Sequence, residues 1–337
     1  MTERIERSYV PQEPEKESPS EGKIAFVFPG QGSQFVGMGQ ELYNTSKAAK
    51  EVFDEADSTL GMSLTRVMFE GPDEELWETI NSQPAIMAMS LACVAALEEL
   101  RPQDTFKPVA LAGHSLGEYT TLVVSRALDL PSGIRLVRER GRLMQEAGKL
   151  RPGSMAAIIG LDEQIIEEIC RETGAEIANI NGDNQIVLSG DQLCVTRAVD
   201  MASIRGARKA ISLAVSGAFH SSLMLPAREG LAIAIEQIKL DDPRIPIIGN
   251  SNSTPLTTAQ GVKEELLAQL TSCVQWKSSV GRMIDGGIVN FIELGPGKVL
   301  GGLIKRISGT PAYKDIGIRV SSIGDLRSIQ NFNPLPA

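Results

Sequence analysis

The chain has 337 residues, 42% of them hydrophobic and 22% charged, with a net charge of −9. That length suits one large domain or a large domain with a smaller companion, in an ordinary globular balance. The acidic charge argues against non-specific nucleic-acid binding, and no apolar run approaches the roughly 20 residues of a membrane span.

The first 22 residues, MTERIERSYVPQEPEKESPSEG, mix both charge signs with Pro and Ser and contain no apolar stretch. They resemble neither a secretory signal nor an acid-poor transit peptide, so 1–22 is expected to be a disordered lead-in. Four scattered cysteines, Cys93, Cys170, Cys194 and Cys273, show no paired spacing. This argues against a disulfide framework or a metal site and for reduced thiols in a cytoplasmic protein.

Folded structure is expected to begin with KIAFVF, an apolar run of strand length followed by the turn PGQGSQ. A second run, PVALAG, leads into the helical HSLGEYTTLVVSRAL. Next, SGIRLVRERGRLMQEAG predicts an amphipathic helix from Pro131 or Ser132 to near Gly148. This alternation predicts a mainly parallel α/β sheet. Beyond Pro152 the order becomes strand, helix, strand, strand, helix, strand, with the Asn-Gly signal of NGDN marking the hairpin. That order predicts an inserted ferredoxin-like subdomain over 153–216. Residues 23–152 and 217–324 then form two parts of one large subdomain, and 325–337 a C-terminal tail.

Within PVALAGHSLGEY, Gly113-His114-Ser115-Leu116-Gly117 fits the G-x-S-x-G turn that presents a nucleophilic serine between a strand and a helix. The alternative is an ordinary turn with Ser115 as a helix cap. A nucleophilic serine needs a base, and the chain contains only two histidines. His114 adjoins Ser115, and neighbouring side chains on an extended segment point apart. His114 is therefore expected to support the site, and His220 in AVSGAFHSSL to be the base. Asp162 and Asp183 lie between serine and histidine but fall in the inserted segment. Either a triad acid or a main-chain carbonyl can orient His220 at this point.

On the helix around Ile134–Met144, Arg135, Arg138 and Arg142 share one face. Arg140 falls opposite, among Leu136, Val137, Leu143 and Met144. A guanidinium in a core needs an anion, either a buried acid or a carboxylate on the substrate. Two Gly-rich loops miss the nucleotide-binding patterns. In PGQGSQF the third glycine position is Phe35, and in ELGPGKV Lys298 precedes Val299. The first loop can instead supply the Gln31 amide to an oxyanion hole.

In order, FVFPGQGSQ, SQPAIMAMSLA, LAGHSLGEY, RGRLMQEA, GSMAAIIGL, NGDNQIVLSG, GAFHSSLM and ELGPGKVLGGLIKRI closely resemble the malonyl-CoA:acyl carrier protein transacylases and related acyltransferase domains. The resemblance implies an α/β-hydrolase-like large subdomain with a ferredoxin-like small one, and no cofactor or metal. It also implies ping-pong transfer of malonyl from malonyl-CoA through Ser115 to the phosphopantetheine thiol of acyl carrier protein, supplying fatty-acid synthesis. By the same resemblance, His220 is general base and acid. The amides of Gln31 and Leu116 form the oxyanion hole, and Arg140 binds the malonyl carboxylate. The Gln269 carbonyl orients the histidine, Gln83 lines the site, and Phe219 matches the malonyl-selective pattern. A polyketide-loading acyltransferase, a thioester hydrolase and a non-catalytic scaffold are the competing readings. Lys298, Lys305 and Arg306 are candidate contacts for an acidic carrier.

Overall fold

A computed structural model describes residues 22–103, 107–215 and 217–332. The expected lead-in, apart from Gly22, lies outside the described residues, as do Ser216 and 333–337. The strands are β1 (Lys23–Phe28), β2 (Pro108–Gly113), β3 (Gly153–Ile159), β4 (Glu176–Gly182) and β5 (Gln185–Asp191). They continue with β6 (Lys209–Ser212), β7 (Ile247–Ile248), β8 (Pro255–Leu256), β9 (Ile288–Leu294) and β10 (Arg319–Ile323).

These strands form two sheets, one ordered β10-β9-β1-β2-β7-β8 and one ordered β4-β5-β3-β6. In the larger sheet every pairing is parallel except that of the short β7 and β8. β1 lies between β9 and β2, which explains why KIAFVF is continuously apolar, since helices cover both faces. One face packs against the helices Thr79–Leu100 and Leu130–Leu150, the other against Trp276–Asp285 and Val299–Ser308. The smaller sheet is antiparallel throughout. Its first strand β3 lies between β5 and β6, the ferredoxin-like arrangement, and its helices Glu163–Thr173 and Gln192–Ile204 cover a separate core.

Four sequence expectations change. The helix Thr79–Leu100 is long and apolar enough to cross a membrane by length and composition, but 83% of its most apolar window is buried within the fold. It is the central core helix, apolar all round because neighbours surround it. The arginine-bearing helix starts earlier than expected, at Leu130, because the Asp129 side chain caps it by accepting from the Ser132 amide at 2.7 Å. The hairpin turn is Asp183-Asn184, so Asn181 and Gly182 belong to β4. The expected tail includes a helix, Leu326–Gln330, held by an Asp325–Ser328 capping box and the buried Ile329.

Candidate active site

β2 ends at Gly113 and a helix, Leu116–Val124, starts three residues later. Ser115 connects them with φ 52° and ψ −106°, a conformation a non-glycine residue adopts only under constraint. Such a tight turn leaves no space for side chains on either side. A Cβ on Gly113 would lie 1.9 Å from the Gly117 carbonyl carbon, and one on Gly117 would lie 2.1 Å from the Phe28 carbonyl oxygen. Ser115 therefore sits at the carboxyl end of an inner parallel strand, where open α/β sheets build their sites.

Helix Leu225–Glu236 and the turn before it bring His220 to this point, 105 residues along the chain. His220 also has positive φ, 58°, so constrained backbone occurs at both members of the pair. Its Nε2 lies 2.7 Å from Ser115 Oγ, and its Nδ1 lies 2.9 Å from the Gln269 carbonyl oxygen. A carbonyl only accepts, so Nδ1 carries the proton and Nε2 is left to accept from the serine hydroxyl. Burial, reinforced by the nearby Arg140 cation, pushes the His220 pKa down to about 3. The imidazole is consequently neutral at pH 7. Asp162 caps a helix by accepting from the Ile165 amide, and Asp183 pairs with Lys277. Both acids are engaged away from His220, which is oriented by the carbonyl.

Arg140 is 1% exposed, with its guanidinium 4.9 Å from the Tyr119 ring centroid. It donates to Gln83 Oε1 at 2.8 Å, Gln269 Oε1 at 3.0 Å and Ser115 Oγ at 3.1 Å. All three acceptors are neutral, and among the described residues Arg140 Nε has no partner. Of five guanidinium N–H groups, three hydrogen bonds leave two unused. A nearby acid, Glu118, is also buried, and its pKa is raised well above the usual carboxylate range by desolvation and by the neighbouring Glu265. Desolvation disfavours a charge on Glu118, which makes it a poor counter-ion for Arg140. The cation is held in place by amide oxygens, with capacity for an anion.

A cleft of about 120 Å³ brings together Gln31, His114, Ser115, Arg140, Phe219 and His220. His114 turns away from the serine hydroxyl. Its Nε2 meets Asn181 Oδ1 at 2.9 Å, its ring lies against Trp276, and desolvation lowers its pKa. Leu116 is fully buried, and its amide is among the first-turn donors that lack an intrahelical acceptor. Gln83 and Gln269 stand behind Arg140 rather than on the cleft wall.

Three contributors escaped the sequence reading. Asn250 accepts from the Ser115 amide, Glu118 accepts from the Asn250 amide, and Asn181 holds His114. Asn250 follows β7 in IPIIGN, and its position just past a strand end was the available signal. Among the false leads, the helix start after ELGPGK is already occupied by a side chain of the protein itself. The Glu293 carboxyl oxygens accept from the Leu300 and Gly301 amides, each at 2.9 Å.

The family model for the acyl transferase domain matches residues 25–310. The malonyl CoA-acyl carrier protein transacylase of Bacillus subtilis is 43% identical over 291 residues, covering 85% of this chain and 90% of that protein. The chain belongs to the malonyl-CoA:acyl carrier protein transacylase family. A solved family member from Coxiella burnetii superposes with a TM-score of 0.88 at 36% identity, covering 95% of this chain and all of the other. A type II polyketide acyl-carrier protein in complex with its malonyl-transacylase gives a TM-score of 0.85 at 36% identity, covering 91% of this chain and 98% of that transacylase. This acyltransferase therefore shares both sequence and architecture with the transacylases along nearly its whole described length.

Proposed function

We propose that this acyltransferase moves malonyl from malonyl-CoA to the phosphopantetheine thiol of acyl carrier protein through a malonyl ester on Ser115, supplying fatty-acid synthesis in the cytoplasm. Residues 23–152 and 217–324 serve as the large subdomain and 153–216 as the small one. The observation that carries this reading is Arg140, a buried cation with two unused donors, 3.1 Å from the Ser115 hydroxyl. An acyl group bearing its own carboxylate fits that arrangement.

His220 Nε2 takes the Ser115 proton as Oγ bonds to the thioester carbonyl carbon. The Gln31 and Leu116 amides receive the oxyanion. As the carbonyl re-forms, the carbon–sulfur bond breaks and the CoA sulfur leaves with the proton from His220. In the second half-reaction His220 takes the proton of the carrier thiol, whose sulfur attacks the ester carbon. Ser115 Oγ then leaves and recovers that proton. The Gln269 carbonyl holds the tautomer throughout, Gln83 and Gln269 hold Arg140, and His114 supports the elbow. Phe219 limits space beside the malonyl methylene. Lys298, Lys305 and Arg306 are exposed and offer positive charge to an acidic carrier.

The test is intact-mass detection of a malonylated enzyme, followed by carrier-dependent loss of the label. Ser115→Ala should acquire no label. Labelling of that variant at the normal rate, or rapid hydrolysis without transfer to carrier, would overturn the reading.

A further inference from the structure

We infer that Asn250 is a positioning residue for acyl transfer: one side chain grips the backbone on both sides of His114 and holds the Ser115 elbow in its reactive conformation. The inference rests on the reading of Ser115 as the nucleophile. A serine at φ 52° and ψ −106° is strained and persists only where its surroundings enforce it. The enforcing contacts converge on Asn250. Its Oδ1 accepts from the Ser115 amide at 2.7 Å, and its Nδ2 donates to the Gly113 carbonyl at 2.7 Å. Without it, the half-buried Ser115 amide and the buried Gly113 carbonyl would both lose this partner.

Asn250 is itself held. It is 2% exposed, its amide donates to Glu118 Oε2 at 2.9 Å, and its carbonyl accepts from the Gln275 amide at 2.7 Å. Gln269 completes the clamp from the other side, with Nε2 donating to the Ser115 carbonyl at 2.9 Å. The peptide group is planar, so holding the Ser115 carbonyl also sets the direction of the Leu116 N–H. Asn250 and Gln269 together thus fix the amide entering the elbow and the amide leaving it. Only an asparagine offers an acceptor and a donor at this reach. Aspartate lacks the donor for Gly113, and alanine lacks both groups.

The deciding experiment is rapid-quench malonylation by malonyl-CoA in a single turnover, reading separately the rate constant and the final labelled fraction. Asn250→Ala and Asn250→Asp should label at least tenfold more slowly, reach nearly the wild-type fraction, and keep KM for malonyl-CoA within threefold. A reduced labelled fraction with a wild-type rate constant would make Asn250 a purely structural residue and overturn the inference. If the alanine variant fails to fold, the same criterion applies to the aspartate variant. Insolubility of both would likewise assign Asn250 to folding alone. Ser115→Ala is run in parallel. Label on that variant would refute the nucleophile reading instead, a result distinct from any Asn250 outcome.

Discussion

The guanidinium of Arg140 donates to the hydroxyl of Ser115 across 3.1 Å, joining the cation and the proposed nucleophile through a single hydrogen bond. The same hydroxyl meets His220 Nε2 at 2.7 Å. A carboxylate held by Arg140 would therefore lie one short acyl unit from the attacking oxygen.

Arg140→Ala should discriminate between donors. Loss of a charge-assisted, bidentate contact should lower kcat/KM for malonyl-CoA by 10²- to 10³-fold, or about 3–4 kcal/mol. With acetyl-CoA, which has no carboxylate for the arginine, the loss should stay within tenfold. Both rates are measurable by carrier-transfer assay. Equal losses would make the arginine a scaffold for Gln83 and Gln269.

His220 makes two predictions about pH. In the free enzyme its pKa lies at about 3, so kcat/KM should show no acid limb near the ordinary histidine value of about 6.5. Between those values the unfolded chain binds more protons than the folded one. Stability should consequently fall by about 1.4 kcal/mol per pH unit from this residue as pH drops below roughly 6.5. Urea unfolding from pH 4.5 to 7.5 should show a shallower slope for His220→Gln. An unchanged slope would contradict burial of a neutral imidazole.

Glu118 has the opposite sign. Its folded pKa is raised, so the folded state binds more protons and stability falls as pH rises from the unfolded value of roughly 4.3 through the folded one. Glu118→Gln keeps an oxygen for the Asn250 amide and removes the titration. The melting temperature of the variant relative to wild type should rise as pH increases above roughly 4.3. A constant or falling difference would mean that Glu118 is ionised in the fold.

Phe219 is 6% exposed and lines the cleft beside Ser115 and His220. Phe219→Ser should open space beside the acyl methylene and raise the methylmalonyl-to-malonyl ratio of kcat/KM by about 10- to 100-fold, the range of one methylene-sized contact. Competition between the two donors, followed by mass analysis of the carrier, would measure it. No change in the ratio would place the selectivity elsewhere in the cleft.

Much of the site could be read along the chain because local rules fix local geometry. Gly113 and Gly117 flank a serine between an apolar run and a helix, and a Cβ at either position would lie 1.9 or 2.1 Å from backbone atoms. Helical periodicity alone turns Arg140 inward. Asn250 carried only its position past a strand end, and Glu118 and Asn181 carried no local signal, since the contacts of the three span 135, 132 and 67 residues. The tail helix was hidden for a related reason. Five residues do not form a stable helix alone, and Leu326–Gln330 depends on Ile329 reaching the core.

Sequence alone determined the α/β order, the inserted ferredoxin-like pattern and the tight turn at Ser115, and it pointed to His220 rather than His114 as the partner of that serine. Those follow from periodicity, turn chemistry and the scarcity of histidine, all of which act between near neighbours or on simple counts. Tertiary structure decided that a main-chain carbonyl orients His220 and that neutral amides hold Arg140. It also placed Glu118 where desolvation raises its pKa and Asn250 where it grips the strained turn. Those properties depend on desolvation and on contacts between strands distant in the chain, which exist only once the sheet has closed around them.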